Sequence, residues 1–160
     1  MINVQEENMQ LKTLIEQYLA DAKMMQLATV ANGKPWVCNV WFANDGDMNI
    51  YWFSSVTRRH SGEVAEDNHV AGAVCLSQTP EDKPRGLQFE GTAEVLDNEA
   101  DVQKAIRHYA GRIFPEEKVR EFMAHPDKPH KFYKITPSLF VLFDVVNFPD
   151  NSRQEWRPNA

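Results

Sequence analysis

Residues 51–67 read YWFSSVTRRHSGEVAED, an aromatic run that gives way to hydroxyls, then cations, then helix formers. A strand ending in Ser54, Ser55 and Thr57 is predicted to meet a helix starting with Arg58, Arg59 and His60. The first turn of a helix exposes unpaired N–H groups and carries partial positive charge, so adjacent arginines there are unfavourable unless an anion sits against them. Hydroxyls, guanidinium groups and backbone donors converging at one junction suit a phosphate monoester. The plainer alternative, a Ser or Thr cap followed by solvated arginines, stays open on spacing alone, because no glycine-rich phosphate loop accompanies them.

Other chemistries find less support. His60, His69, His108, His125 and His130 follow no metal-ligand spacing, and no metal site is expected. Ser, His and Asp are all present without the G-x-S-x-G elbow that would expose a nucleophile. Gln88 donates and accepts at once, as suits the edge of a heterocycle, although a solvent-facing glutamine is the more frequent explanation. Trp36, Trp41 and Trp52 form an aromatic concentration of the kind that fills a core, a dimer interface or the wall of a planar-ligand site.

The elements that must hold these residues can be read from periodicity. Leu11, Leu14, Ile15, Tyr18, Leu19 and Ala22 recur at helical steps, predicting a helix over 10–22. MMQLATV and PWVCNVWF flank Asn32-Gly33, the dipeptide of a tight hairpin, and a second turn at residues 44–47 leads into the strand 49–53. HVAGAVCL resumes the strands. GLQFEGTAEVL alternates, with Leu87, Phe89, Ala93 and Val95 on one face. Residues 98–124 read helical, with Val102, Ala105, Ile106 and Tyr109 as the stripe and Pro115 dividing the run. FYKI and LFVLFDVV are the last predicted strands, and residues 147–160 form a polar tail apart from Trp156. Cys38 and Cys75, both in apolar runs, read as reduced buried thiols.

Six or seven strands with short connections predict an α+β domain, a mostly antiparallel barrel with flanking helices. A chain of 160 residues suits one domain, 1–160, with the barrel over 24–146 and the helical insertion at 98–124. Seventeen Lys and Arg against twenty-three Asp and Glu give a net charge of −6, which disfavours nucleic acid and anionic membranes as partners. Without a membrane-length apolar run or a signal-like start, the expected location is cytoplasmic.

In the order of these elements, and in LATV with NGKPWVCNVWF, IYWFSSVTRRH and GLQFEGTAEVL with its G-x-A motif, the chain resembles the split β-barrel FMN-binding family related to pyridoxamine 5'-phosphate oxidase over about residues 24–146. An uncharacterised bacterial branch is most similar. The resemblance implies a homodimer with FMN at two inter-subunit sites. Its phosphate would lie against Ser54, Ser55, Thr57, Arg58, Arg59 and His60, and its ring beside the backbone of Asn39, Val40 and Trp41. Gln88 would approach the same cofactor, and Trp156 would reach in from the other subunit. The family's oxidase proper ends in an Arg-x-His segment that holds substrate phosphate, whereas here Arg157 is followed by Pro158 and Asn159, so vitamin B6 oxidation is not expected. A flavin-dependent oxidoreductase of unknown substrate, with no assigned catalytic side chain, is the leading expectation. A non-catalytic flavin carrier or sensor, or a barrel holding haem or a deazaflavin, are the alternatives.

Overall fold

The computed structural model describes residues 4–76 and 78–158. It opens on α1 (Val4–Asp21), longer at its start than the predicted helix, which buries Leu11, Ile15, Tyr18 and Leu19 against the barrel. Asn32 and Gly33 take φ angles of 52° and 69°, the left-handed pair that a two-residue hairpin needs, and join β1 (Met24–Ala31) to β2 (Lys34–Asn44). β3 (Ile50–Ser55), α2 (Arg59–Glu66), β4 (His69–Val74) and β5 (Arg85–Val95) follow. The insertion forms α3 (Glu99–Tyr109) and α4 (Glu116–Met123), and the chain continues through β6 (His130–Asp144) and β7 (Arg153–Trp156).

All pairings are antiparallel, in the order β3-β2-β1-β4-β5-β6-β7, and β3 also pairs with β6. Six strands therefore close into a ring. One edge of β6 is shared, its first part (130–135) with β3 and its later part (140–143) with β7. The predicted α+β split barrel is the observed fold.

Three local expectations are corrected. The polar tail supplies β7, a strand whose backbone pairs with β6 although its side chains are largely polar. FYKI and LFVLFDVV are one strand rather than two, because the register shift at Glu90/Gly91 absorbs Pro137 without ending the ladder. Gly91 is required there, since a Cβ would strike the Thr136 carbonyl. Cys75 is exposed at the end of β4, and Cys38 is only half-buried.

Two cores result. The barrel interior holds Met25, Leu27, Phe42, Ile50, Trp52, Phe89 and Phe140 beneath α1. A second core lies outside the barrel, where Val102, Ala105, Ile106 and Tyr109 of α3 cover Tyr51, Phe53 and Phe132. β3 is thus buried on both faces. Arg112, between α3 and α4, binds the Leu19, Ala20 and Ala22 carbonyls at the end of α1 and fastens the insertion to the N-terminal helix.

Candidate cofactor cleft

β2 and β3 pair only through Phe42–Asn44 and Ile50–Trp52. Beyond that they part, β2 continuing along β1 and β3 continuing along β6 until Ser55 lies opposite His130. A cleft of about 530 Å³ opens between them, within the range of small-ligand pockets. Trp36, Cys38, Asn39, Val40 and Trp41 line it from β2. Ser54, Ser55, Arg58, Arg59 and His60 line it from β3 and the start of α2. Phe53, Tyr109, Phe114, Phe122 and His130 make a third wall, supplied largely by the insertion.

Eight of the eleven predicted contact residues therefore meet at one place: Asn39, Val40, Trp41, Ser54, Ser55, Arg58, Arg59 and His60. Thr57 stands beside them, its hydroxyl 3.0 Å from Ser55 Oγ. Gln88 does not join them. It is exposed on β5, and the register Asn39–Gln26–Ala73–Gln88 puts three strand spacings, about 14 Å, between it and Asn39. Trp156 packs on its own barrel, 6.1 Å from the Phe140 ring.

The junction's hydrogen bonds set its polarity. His60 is buried, with Nε2 2.9 Å from Ser54 Oγ and Nδ1 3.4 Å from Cys38 Sγ. Burial, reinforced by the Arg58 charge, pushes the imidazole below its ordinary value, so it is neutral at neutral pH. Burial and the nearby Glu63 push the Cys38 thiol up. In the tautomer in which the protonated thiol donates to Nδ1, Nε2–H donates to Ser54 and the Ser54 hydroxyl is left to donate into the cleft; in the other tautomer Nδ1–H donates to the sulfur and Ser54 donates to Nε2.

The two arginines are not equivalent. Arg59 donates from Nε to Glu63 at 2.6 Å, and its guanidinium lies 4.2 Å from the Trp36 ring centre. Glu63 also accepts from Thr29 Oγ1 at 2.5 Å, and these two hydrogen bonds hold its carboxyl below the ordinary range. Arg58 is exposed, and its guanidinium has no hydrogen-bond or ion-pair partner among the described residues. The backbone N–H groups of Arg59 and His60 likewise find no acceptor among them, leaving donors of the first helical turn open.

The family model described as pyridoxamine 5'-phosphate oxidase matches residues 11–141. The chain belongs to that family. A UPF0306 protein of Photorhabdus laumondii subsp. laumondii is 29% identical over 103 residues, 64% of this chain and 71% of the relative. Among solved structures, General Stress Protein 26 of Bacillus anthracis superposes with a TM-score of 0.66 at 16% identity, covering 92% of this family member and 98% of that chain. HutZ, the heme storage protein of Vibrio cholerae, superposes with a TM-score of 0.65 at 20% identity over 79% and 89% of the two chains. Likenesses at these identities bear on the fold alone.

Sequence reasoning missed the third wall. Tyr109 was legible as the end of an apolar stripe, but nothing in that spacing says which strand the stripe covers. His130 carries no signal in its own neighbourhood, because its position opposite Ser55 comes from a pairing between distant strands.

Proposed function

We propose that this family member binds FMN in the cleft between β2 and β3 and serves as a flavin-dependent oxidoreductase. The supporting observation is the convergence of Ser54, Ser55, Arg58, Arg59 and His60 with the β2 segment Asn39–Trp41 around one cleft. The donor set fits a terminal phosphate: the unpaired Arg58 guanidinium, the open N–H groups at the start of α2 and, in the tautomer that leaves it free, the Ser54 hydroxyl. Trp36, Trp41 and the aromatic third wall suit a planar ring system. When bound, FMN would supply the hydride chemistry. The chain's own residues would bind the phosphate, orient the ring along the edge of β2 and exclude water with the insertion.

A homodimer is part of the same reading. Trp52 is fully buried and contributes nothing to a dimer surface, whereas Trp36, Val37 and Trp41 remain exposed along β2. A second copy covering that strand would bury them, and its Gln88 could then meet a cofactor that this chain's own Gln88 is too far away to touch.

Titration separates the parts. FMN is expected to bind at least tenfold more tightly than riboflavin, since each hydrogen bond to a charged group contributes ~1.5–3 kcal/mol. Equal affinity for the two would overturn the phosphate assignment. Light scattering on flavin-loaded protein is expected to report a dimer, and a monomer carrying stoichiometric flavin would defeat the shared-site reading.

A further inference from the structure

His130 and His125 sit at the two ends of the loop before β6 and use the same ring nitrogen in opposite senses. His125 Nδ1 accepts from the backbone N–H groups of Asp127 and Lys128, at 3.3 and 3.2 Å. His130 Nδ1 lies 3.1 Å from the Lys128 carbonyl. A carbonyl can only accept, so His130 Nδ1 must carry the proton. In the neutral ring Nε2 is then a bare acceptor, and among the described residues nothing hydrogen-bonds to it.

The surroundings hold that acceptor in place and keep it neutral. The ring packs against Phe53 and Phe122, with centroids 5.1 and 5.0 Å away, and lines the cleft beside Tyr109 and Phe114. Burial lowers the basicity of the imidazole and the Arg58 charge acts in the same direction, together outweighing the hydrogen bond to the Lys128 carbonyl, which raises it. A fixed acceptor among aromatic faces, with a partner-free cation close by, matches a flat ligand that bears a weakly acidic hydrogen. The Arg58 charge would favour that ligand further as negative charge grows on the donor atom.

We propose that His130 is a binding residue on the insertion side of the cleft, taking through Nε2 an O–H or N–H of a planar aromatic or heteroaromatic substrate. The proposal goes beyond the FMN reading and does not rest on it: Arg58 and the third wall serve both, but the acceptor at His130 Nε2 has no part in that reading.

Two measurements on the full chain test it. Long-range proton–nitrogen NMR of the histidine rings is expected to report His130 as the Nδ1–H tautomer at neutral pH, and an Nε2–H tautomer or an imidazolium would overturn the proposal. Binding of 4-cyanophenol and of its methyl ether, 4-methoxybenzonitrile, can be followed through the fluorescence of Trp36 and Trp41. The phenol is expected to bind about tenfold more tightly, the upper end for one neutral hydrogen bond. His130→Phe keeps an aromatic ring and should bring the two affinities together by weakening the phenol alone. Equal affinities in the unaltered protein, or no binding of either probe, would refute the proposal. FMN titration is scored separately, so loss of the flavin reading and loss of this one remain distinct results.

Discussion

The two ends of β3 carry polar clusters of opposite character. At its start, the carboxylate of Asp45, only 5% exposed, accepts from the backbone N–H groups of Asp47 and Asn49, both at 3.0 Å, and from Tyr51 Oη at 2.8 Å. Asn49 Nδ2 and Lys104 Nζ complete the set, the latter at 2.7 Å. Those donors hold a turn in which Met48 takes a φ of 64°. At the other end, the Arg58 guanidinium, the N–H groups of Arg59 and His60, and His130 Nε2 lack partners among the described residues. A cluster that satisfies itself stabilises the fold, whereas one that leaves strong donors and acceptors open loses hydrogen bonding unless a ligand or water completes it.

If this contrast is right, the largest effect of any substitution on stability belongs to the closed end. Asp45→Ala removes several charge-assisted hydrogen bonds at once and is expected to cost about 3 kcal/mol, read as a lower urea midpoint at unchanged slope. The acid limb of stability checks the same cluster. Hydrogen bonds from Lys104, Asn49 and Tyr51 outweigh the cost of burial and hold the Asp45 carboxyl down at about 2, against an ordinary 3.8. A depressed folded-state value stabilises the protein above the ordinary value, and that contribution is lost as pH falls from about 4 towards 2. It amounts to about 2 kcal/mol, and Asp45→Asn should abolish this part of the acid dependence. An unchanged acid limb would show that the carboxylate is not the anchor of the turn.

At the open end the effect should appear in ligand affinity and leave stability little changed. Arg58→Ala is expected to weaken FMN by ~1.5–3 kcal/mol, roughly ten- to a hundredfold. Arg59→Ala should cost less, because its guanidinium is already engaged by Glu63 and Trp36. A larger loss from Arg59 would reverse the assignment of the free cation. The smallest change expected is for Lys104→Ala, under about 1 kcal/mol in urea titration. Lys104 is 38% exposed, and Asp45 would keep its backbone and tyrosine donors.

The sequence yielded most where one residue type answers one physical demand. Asn32-Gly33 announced a turn with two positive φ angles, and Pro115 divided the insertion into two helices. The strand-to-helix junction at Ser54–His60 was legible because its charges oppose the helix dipole. β7 was missed because Arg153–Trp156 is short and polar, and its pairing depends on backbone groups that carry no side-chain signature. FYKI and LFVLFDVV read as two strands because a proline inside an apolar run looks like a break, and only the pairing with β5 shows that the extra residue, Ser138, is taken up as a bulge within β6 opposite Glu90/Gly91. Cys75 follows an apolar run, but the strand stops before it and leaves the thiol outside. The third wall was invisible for a related reason, since it forms only when β3 meets β6 across some eighty residues of chain.

Arg112 ties two distant parts of the chain with one side chain, and that bears on how the molecule comes apart locally. Its guanidinium occupies carbonyls at the end of α1 that would otherwise turn to water, while its backbone belongs to the segment that walls the cleft. Amide exchange should then report α1 and the α3–α4 insertion as one opening unit, with the last turn of α1 losing protection together with the α3–α4 connection. Replacing Arg112 with Met would divide that unit in two. The cleft's aromatic wall would then open on its own schedule, and ligand exchange through the cleft would quicken while the barrel stayed closed.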